Sequence, residues 1–249
     1  MRYCIHLAYN GTRFHGWQTQ PNAISVQACI EECLSKIIGE SIEIIGAGRT
    51  DTGVHASNYY AHVDITHEIN CTDVQYKLNK MLSHDIVIYT IFKVNNEFHA
   101  RFSALWRTYT YTLSLQKNPF LQETTWLYSY PLNIEAMNNA AALLQTYTDF
   151  TSFSKLHTDV NNNNCTITYA KWEQKGDLLI FTITANRFLR NMVRAITGTL
   201  IDVGRGKTSI PEFCTIIESK NRQNAGTSIP ALGLCLVDIG YEWEHYKCK

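Results

Sequence analysis

Tyr3-Cys4-Ile5-His6-Leu7-Ala8-Tyr9 alternates with the period of a β-strand, placing Tyr3, Ile5, Leu7 and Tyr9 on one face. Outward from it, Ser25 is positioned to cap a helix in which Val26, Ile30, Cys33, Leu34, Ile37 and Ile38 keep helical spacing. Ile42–Ile45 and Tyr59–Ile65 predict strands on either side of a turn spanning Gly46–Gly53. Thr72-Asp73-Val74-Gln75 predicts a capping box that opens a second helix with Val74, Leu78, Met81 and Leu82 inside, and Ile86–Val94 predicts a further strand. The order β-α-β-β-α-β is the split βαβ pattern of ferredoxin-like and RNA-recognition folds.

The second half repeats the theme less regularly. Trp106–Leu115 alternates as a long strand, Asn133 caps a helix to about Gln145, and Cys165–Gln174 with Asp177–Ala185 predicts a hairpin around Lys175-Gly176. A helix is expected from Asn186 to Val203 and another after the capping box Ser209-Ile210-Pro211-Glu212. Gly233–Tyr241 closes as a strand, and Asn161–Asn164 marks an exposed loop. The expected class is α+β, as two units meeting near residue 104: an N-terminal unit of residues 1–104 and a C-terminal unit of residues 105–249.

A chain of 249 residues can bury a core without covalent staples. The eight cysteines include no Cys-x-x-Cys pair, so zinc and redox spacings are missing. Cys29 and Cys33 lie one helical turn apart in an apolar stripe, which reads as packing. Reduced thiols throughout point to the cytoplasm. The start Met1-Arg2-Tyr3-Cys4-Ile5-His6 lacks a signal-peptide core, and no apolar run reaches the ~18 residues of a membrane span.

Lys+Arg and Asp+Glu balance at 22 each, so global charge names no polyanionic partner. Locally the balance fails: Arg187, Arg190, Arg194, Arg205 and Lys207 face Asp202 alone between Asn186 and Lys207, and no acid separates Arg101, Arg107 and Lys117. Such patches on a neutral protein suit a selective anionic partner. On the expected Asn186–Val203 helix, Arg187, Arg190 and Arg194 fall within about 60° of one another, opposite Leu189, Met192, Ile196, Leu200 and Val203.

Chemistry concentrates in Gly46-Ala47-Gly48-Arg49-Thr50-Asp51-Thr52-Gly53-Val54-His55-Ala56. Its glycines permit a sharp turn and close approach to a ligand. Val54 stands where a phosphate-binding Walker loop needs Lys, and Asp51 where a dinucleotide fingerprint needs its third Gly, so both nucleotide loops are excluded. What remains is a turn presenting Arg49 and Asp51. Either Asp51 caps backbone donors, or it is a reactive carboxylate with a cation two residues away.

Gly48–Ala56 resembles the GRTD-x-GVHA signature of the TruA family of tRNA pseudouridine synthases. Phe14-His15-Gly16-Trp17-Gln18 is similar to that family's F-x-GWQ, and Phe98–Ala104 with Arg107-Thr108-Tyr109-Thr110-Tyr111 to its FHARFSA and R-x-Y-x-Y segments. Phe188–Arg194 is similar to FL-x-NMVR, and Ala225–Leu234 to AG-x-TAPA-x-GL. The resemblance implies isomerisation of uridine to pseudouridine at positions 38, 39 and 40 of the tRNA anticodon stem-loop. It implies Asp51 as the catalytic residue, with Tyr109, Arg49, Arg194 and Leu234 on the substrate side. Arg49 would help expose the base, Tyr109 would stack on it and Arg194 would pair with the aspartate. It further implies two similar ferredoxin-like domains whose antiparallel sheets join around a central cleft, a homodimer, tRNA as partner and no cofactor. Arg190 replaces a frequent His, and Ser228-Ile229 replaces Thr-Ala.

Elementary chemistry agrees. A carboxylate can act as nucleophile at a glycosidic carbon or begin by removing a proton, and the residues alone do not choose between the two; substrate and product are isomers. A paired base must be flipped out, at a cost of about a few kcal/mol. Tyr111, on the same strand face as Tyr109, reads as core. His15, His55, His62 and His67 show no ligand spacing, so no metal site is expected. A non-catalytic module with two RNA-recognition-like halves would leave Arg49 and Asp51 unexplained. A metal-dependent hydrolase lacks its ligand cluster.

Overall fold

The computed structural model describes residues 1–155 and 162–248. Asn161, the first residue of the expected asparagine loop, lies outside them; Asn162 and Asn164 are exposed. Contacts divide the chain into two compact units, Met1–Leu105 with Cys235–Lys249, and Trp106–Leu234. The class is α+β with mostly antiparallel pairing.

The first unit opens with strand β1 (Arg2–Tyr9), helix α1 (Val26–Ile38), β2 (Ile44–Gly46), β3 (His55–Asp64), α2 (Cys71–Met81) and β4 (Ile86–Val94). β1 lies between β4 and β3, and β2 joins the far side of β3, all antiparallel. Tyr3, Ile5, Leu7, Tyr59, Ala61 and Val63 are fully buried on one face of this sheet. Each Ile or Leu so buried contributes about 1.5–3 kcal/mol, which makes the alternation of β1 decisive. Ser25 caps α1 through Ala28 N–H, and Gly39 ends it at φ +83°. α2 starts earlier than its sequence suggested. Asn70 is the cap, its Oδ1 accepting from Asp73 N–H, so Thr72 sits inside the first turn and forms no capping box.

The second unit holds β5 (Trp106–Ser114), a short β6 (Trp126–Leu127), α3 (Ile134–Leu143), β7 (Ile167–Lys175), β8 (Leu178–Ala185), α4 (Met192–Gly204) and α5 (Ile210–Glu218). β8 pairs antiparallel with β5 and β7, and β6 lies parallel to β5. Trp172 stacks on Phe181 at 5.0 Å within the core. Asn133 caps α3, and both halves of the capping box at Ser209 and Glu212 form on α5. α4 does not begin at Asn186. Asn191 takes a left-handed φ of +66°, so the helix starts at Met192, and Arg187 and Arg190 lie on the irregular segment before it. The continuous arginine face expected across Arg187, Arg190 and Arg194 therefore does not exist.

The chain ends by returning to its first unit. β9 (Leu234–Gly240) pairs in parallel with β3 at His55↔Cys235 and Ala56↔Leu236. Asn95 N–H donates to Tyr246 O, Tyr241 Oη to Ala100 O, and Phe98 packs 5.3 Å from Tyr241 and 5.5 Å from Trp243. These contacts bind residues 235–248 to the first unit, whereas a single cut near 104 leaves them in the second. Among the described residues no helix is long and apolar enough to cross a membrane.

Candidate active site

Asp51 lies in the connection between β2 and β3, half-buried, with Arg49 exposed before it. The connection is braced on both sides of Asp51. Thr50 O accepts from Trp17 N–H at 3.4 Å, Thr50 Oγ1 is 2.9 Å from Tyr9 Oη, and Gly53 N–H donates to Phe14 O at 3.3 Å. Val54 N–H closes the turn onto Asp51 O at 3.1 Å, with Gly53 at φ +77°. Tyr9, Trp17 and Tyr59 form a buried aromatic base, with Trp17 and Tyr59 centroids 4.2 Å apart. Tyr59 Oη donates to Gly48 O. The Phe14–Gln18 segment is thus the wall that fixes the height of Asp51.

Gly16 makes that wall possible. At φ +87° it brings its backbone so close that a Cβ would sit 2.2 Å from Thr50 O. Gly48 is different: a Cβ there meets no atom within 4 Å. Of the glycines in the motif, Gly53 makes the turn, while Gly48 leaves open space beside Arg49. His55 is buried, and its Nδ1 accepts Gly11 N–H at 3.0 Å, a structural duty. His62 accepts Ala100 N–H, and burial lowers its pKa to about 4. No group of three or more His, Cys, Asp or Glu among the described residues could hold a metal ion.

In the second unit, Tyr109 is half-buried on β5, opposite Ile183 of β8, with its ring edge-on to Phe188 at 5.2 Å. Tyr111 is fully buried with its Oη on Pro230 O, a core residue as expected; burial raises its pKa above the ordinary tyrosine range. Arg194 occupies the first turn of α4, half-buried, and its Nε donates to Ile229 O at 2.7 Å. The irregular segment 225–230 lies along α4: Gly226 N–H donates to Thr199 Oγ1, and a Cβ on Gly198 would come within 2.0 Å of Thr227 O. Leu234 is only 5% exposed, at the start of β9. Sequence reasoning did not single out Tyr9, Trp17, Thr50 or Tyr59 as positioning residues. The GWQ segment contained Trp17 and the GRTD stretch contained Thr50, but neither motif showed that these residues brace the turn.

A family model described as tRNA pseudouridine synthase matches residues 5–103 and 140–242, stretches that include Arg49, Asp51, Arg194 and Leu234. A protein named tRNA pseudouridine synthase A from Parabacteroides distasonis is 51% identical over 249 residues, covering 100% of this chain and 99% of that relative. Its namesake from Porphyromonas gingivalis is 53% identical over 245 residues, covering 96% and 97%. A more distant one from Thermoanaerobacter is 40% identical over 239 residues, covering 95% and 98%. Similarity of this extent, across the Asp51 turn and the Arg194 helix alike, places the chain in the tRNA pseudouridine synthase family.

Proposed function

We propose that this protein isomerises uridine to pseudouridine at positions 38, 39 and 40 of the tRNA anticodon stem-loop, with Asp51 as the nucleophile. The observation that carries it is a half-buried carboxylate on a turn fixed from both flanks, at Thr50 and at Gly53. The reaction breaks the bond between uracil N1 and ribose C1′, turns the base and joins C5 to C1′; the C5 proton leaves and N1 gains one. Asp51 attacks C1′ as the base departs and is released when C5 takes its place, so the carboxylate is regenerated. Atoms balance without a second substrate or a cofactor. Positioning supplies much of the rate, because the detached base is held for recapture instead of being lost to water.

Tyr109 supports the base through its ring, Arg49 helps draw the nucleotide out of the stem, and Arg194 and Leu234 complete the substrate side. An exposed guanidinium in the space beside Gly48 suits a phosphate contact. The first unit's β-α-β-β-α-β order with strand order β4-β1-β3-β2 supports ferredoxin-like ancestry, and the second unit is a looser relative of it. The enzyme is proposed to work as a homodimer in the cytoplasm. Mapping pseudouridine in tRNA from cells lacking the protein, with and without its re-expression, tests the assignment. Unchanged modification at 38–40 in the deletion strain would refute it.

A further inference from the structure

Arg49 is exposed, so its side chain is aimed by the backbone that carries it, and that backbone follows a glycine. Gly48 gives little restraint of its own. A Cβ there would meet no atom within 4 Å, and glycine is the residue whose backbone turns most freely. The peptide that joins Gly48 to Arg49 is held by Tyr59. Tyr59 Oη donates to Gly48 O, the carbonyl of that peptide, and accepts Gly48 N–H at 3.3 Å. One hydroxyl thus grips the glycine on both sides.

The grip is firm because its base is. Tyr59 is fully buried, with its ring 4.2 Å from Trp17 and edge-on to Tyr9 at 5.6 Å. Gly46 closes in on the hydroxyl: a Cβ there would stand 2.3 Å from Tyr59 Oη and 2.4 Å from Trp17 Nε1. β2 pairs with β3, and Ala47 N–H donates to Tyr60 O at 2.9 Å, so the strand that carries Tyr59 also carries the start of the turn. A phenylalanine would fill the same space in the core; the hydroxyl adds the hold on the turn. Two phenols of one aromatic base therefore serve successive residues. Tyr9 Oη, 2.9 Å from Thr50 Oγ1, holds the residue before Asp51, and Tyr59 Oη holds the residue before Arg49.

We propose that Tyr59 is a positioning residue for Arg49, fixing where the guanidinium meets the nucleotide. It acts on exposure of the uridine and not on the glycosidic bond. The proposal rests on the reading that Arg49 helps draw the nucleotide out of the stem, and it adds the group that aims it. Extrusion is hardest for a paired base and easiest for a mismatched one. A residue that works through Arg49 therefore matters most where the target is paired, a distinction that a general brace of the turn would not make.

Two tRNA transcripts, each with a single target uridine in the anticodon stem, test this: one has adenine opposite the target and the other cytosine. Tritium release from uracil C5 is followed under single turnover with the full-length protein. Tyr59→Phe should slow the paired target by about ten- to a hundredfold and the mismatched one by no more than about threefold, with the tRNA Kd within about threefold of the parent. Arg49→Gln should show the same preference. The double variant should be no slower than Arg49→Gln alone, since the hydroxyl acts through that side chain. Tyr9→Phe, which frees the neighbour of Asp51, should slow both targets alike. Equal losses on the two transcripts for Tyr59→Phe, parent rates on both, or additive losses in the double variant overturn the proposal. So does a preference in Tyr9→Phe that matches that of Tyr59→Phe. If Arg49→Gln itself ignores pairing, the reading of Arg49 fails and the proposal with it; if Arg49→Gln discriminates and Tyr59→Phe does not, the positioning role alone fails.

Discussion

Replacing Gly16 by Ala tests how the protein sets the position of Asp51, without touching any group proposed to react. Two penalties can be worked from the structure. The left-handed backbone, φ +87°, costs an L-residue about 1–2 kcal/mol. The new Cβ would stand 2.2 Å from Thr50 O, where contacts below 3.0 Å are essentially never seen, so the Thr50 carbonyl must retreat by close to 1 Å. Crowding of that kind adds about 1–3 kcal/mol, giving a total loss of about 2–5 kcal/mol. Most domains of this size can bear such a loss and stay folded. Asp51 follows Thr50 directly in the chain, and a misplacement of about 1 Å at a reacting group costs about a hundredfold in rate. Single-turnover tritium release from tRNA labelled at uracil C5 should therefore fall about a hundredfold, while the tRNA Kd stays within about tenfold of the parent. The paired control is Gly48→Ala, where the added methyl meets no atom within 4 Å. Its stability, measured by urea unfolding, should be unchanged or raised by about 0.4–1 kcal/mol. A folded Gly16→Ala enzyme that turns over within about threefold of the parent would refute the claim that the Gly16–Thr50 contact places the nucleophile.

Asp51→Asn keeps the size of the side chain and removes its charge; turnover should vanish, with tRNA affinity within about tenfold, or about 1.4 kcal/mol, and any measurable turnover by the folded variant sinks the nucleophilic role. Tyr109→Phe should retain activity while Tyr109→Leu loses it, since the proposed duty belongs to the ring; equal loss in both would move that duty to the hydroxyl. His62, with its pKa lowered to about 4 by burial, binds fewer protons folded than unfolded, so its contribution is complete above pH 6.5 and lost as pH falls toward 4. Protonation would also turn Nδ1 from the acceptor of Ala100 N–H into a donor, and stability by urea unfolding should drop by about 2 kcal/mol between pH 8 and 5, a drop that His62→Gln reduces.

Local rules carried much of the fold. The alternation of Tyr3–Tyr9 and the caps at Ser25, Asn133 and Ser209 depend on neighbours within a few residues, and each stands where its pattern placed it. Non-local contacts explain the departures. Leu189, Met192, Ile196 and Leu200 continue a helical spacing backward past Asn191, yet the helix stops there. The Asn191 side chain donates to Ser228 Oγ, 37 residues on, and its backbone is left-handed. The parallel pairing of β9 with β3 and the return of Tyr241–Tyr246 to Asn95–Ala100 have no local signature at all. At the site, Asp51 and Arg49 stood out through motif and chemistry. Their support did not, because the Gly16–Thr50 contact joins residues 34 apart, and no spacing rule distinguishes it from the open position at Gly48.

The departures at Ser228 and Ile229 can be weighed from the contacts they make. Ser228 Oγ receives Asn191 Nδ2 and, at 2.8 Å, Arg222 Nη2, so two donors fill both lone pairs of one hydroxyl. A threonine offers the same oxygen, and the exchange preserves the contact that ends the irregular segment and starts α4. Loss of the hydroxyl would be another matter: Arg222 is partly desolvated, which lowers its pKa, and one of its hydrogen bonds would go unmade. At 229 it is the backbone that works. Arg194 Nε donates to Ile229 O, and that carbonyl is present whichever side chain follows. Ile229 itself is 5% exposed, so its larger side chain is accommodated by packing and not by altered polarity. Both substitutions therefore leave the hold on Arg194 as it was. Variation in this segment can accumulate without reaching the site, provided that position 228 keeps a hydroxyl and Gly198 remains small enough for Thr227 O to approach within 2.0 Å of where a Cβ would stand.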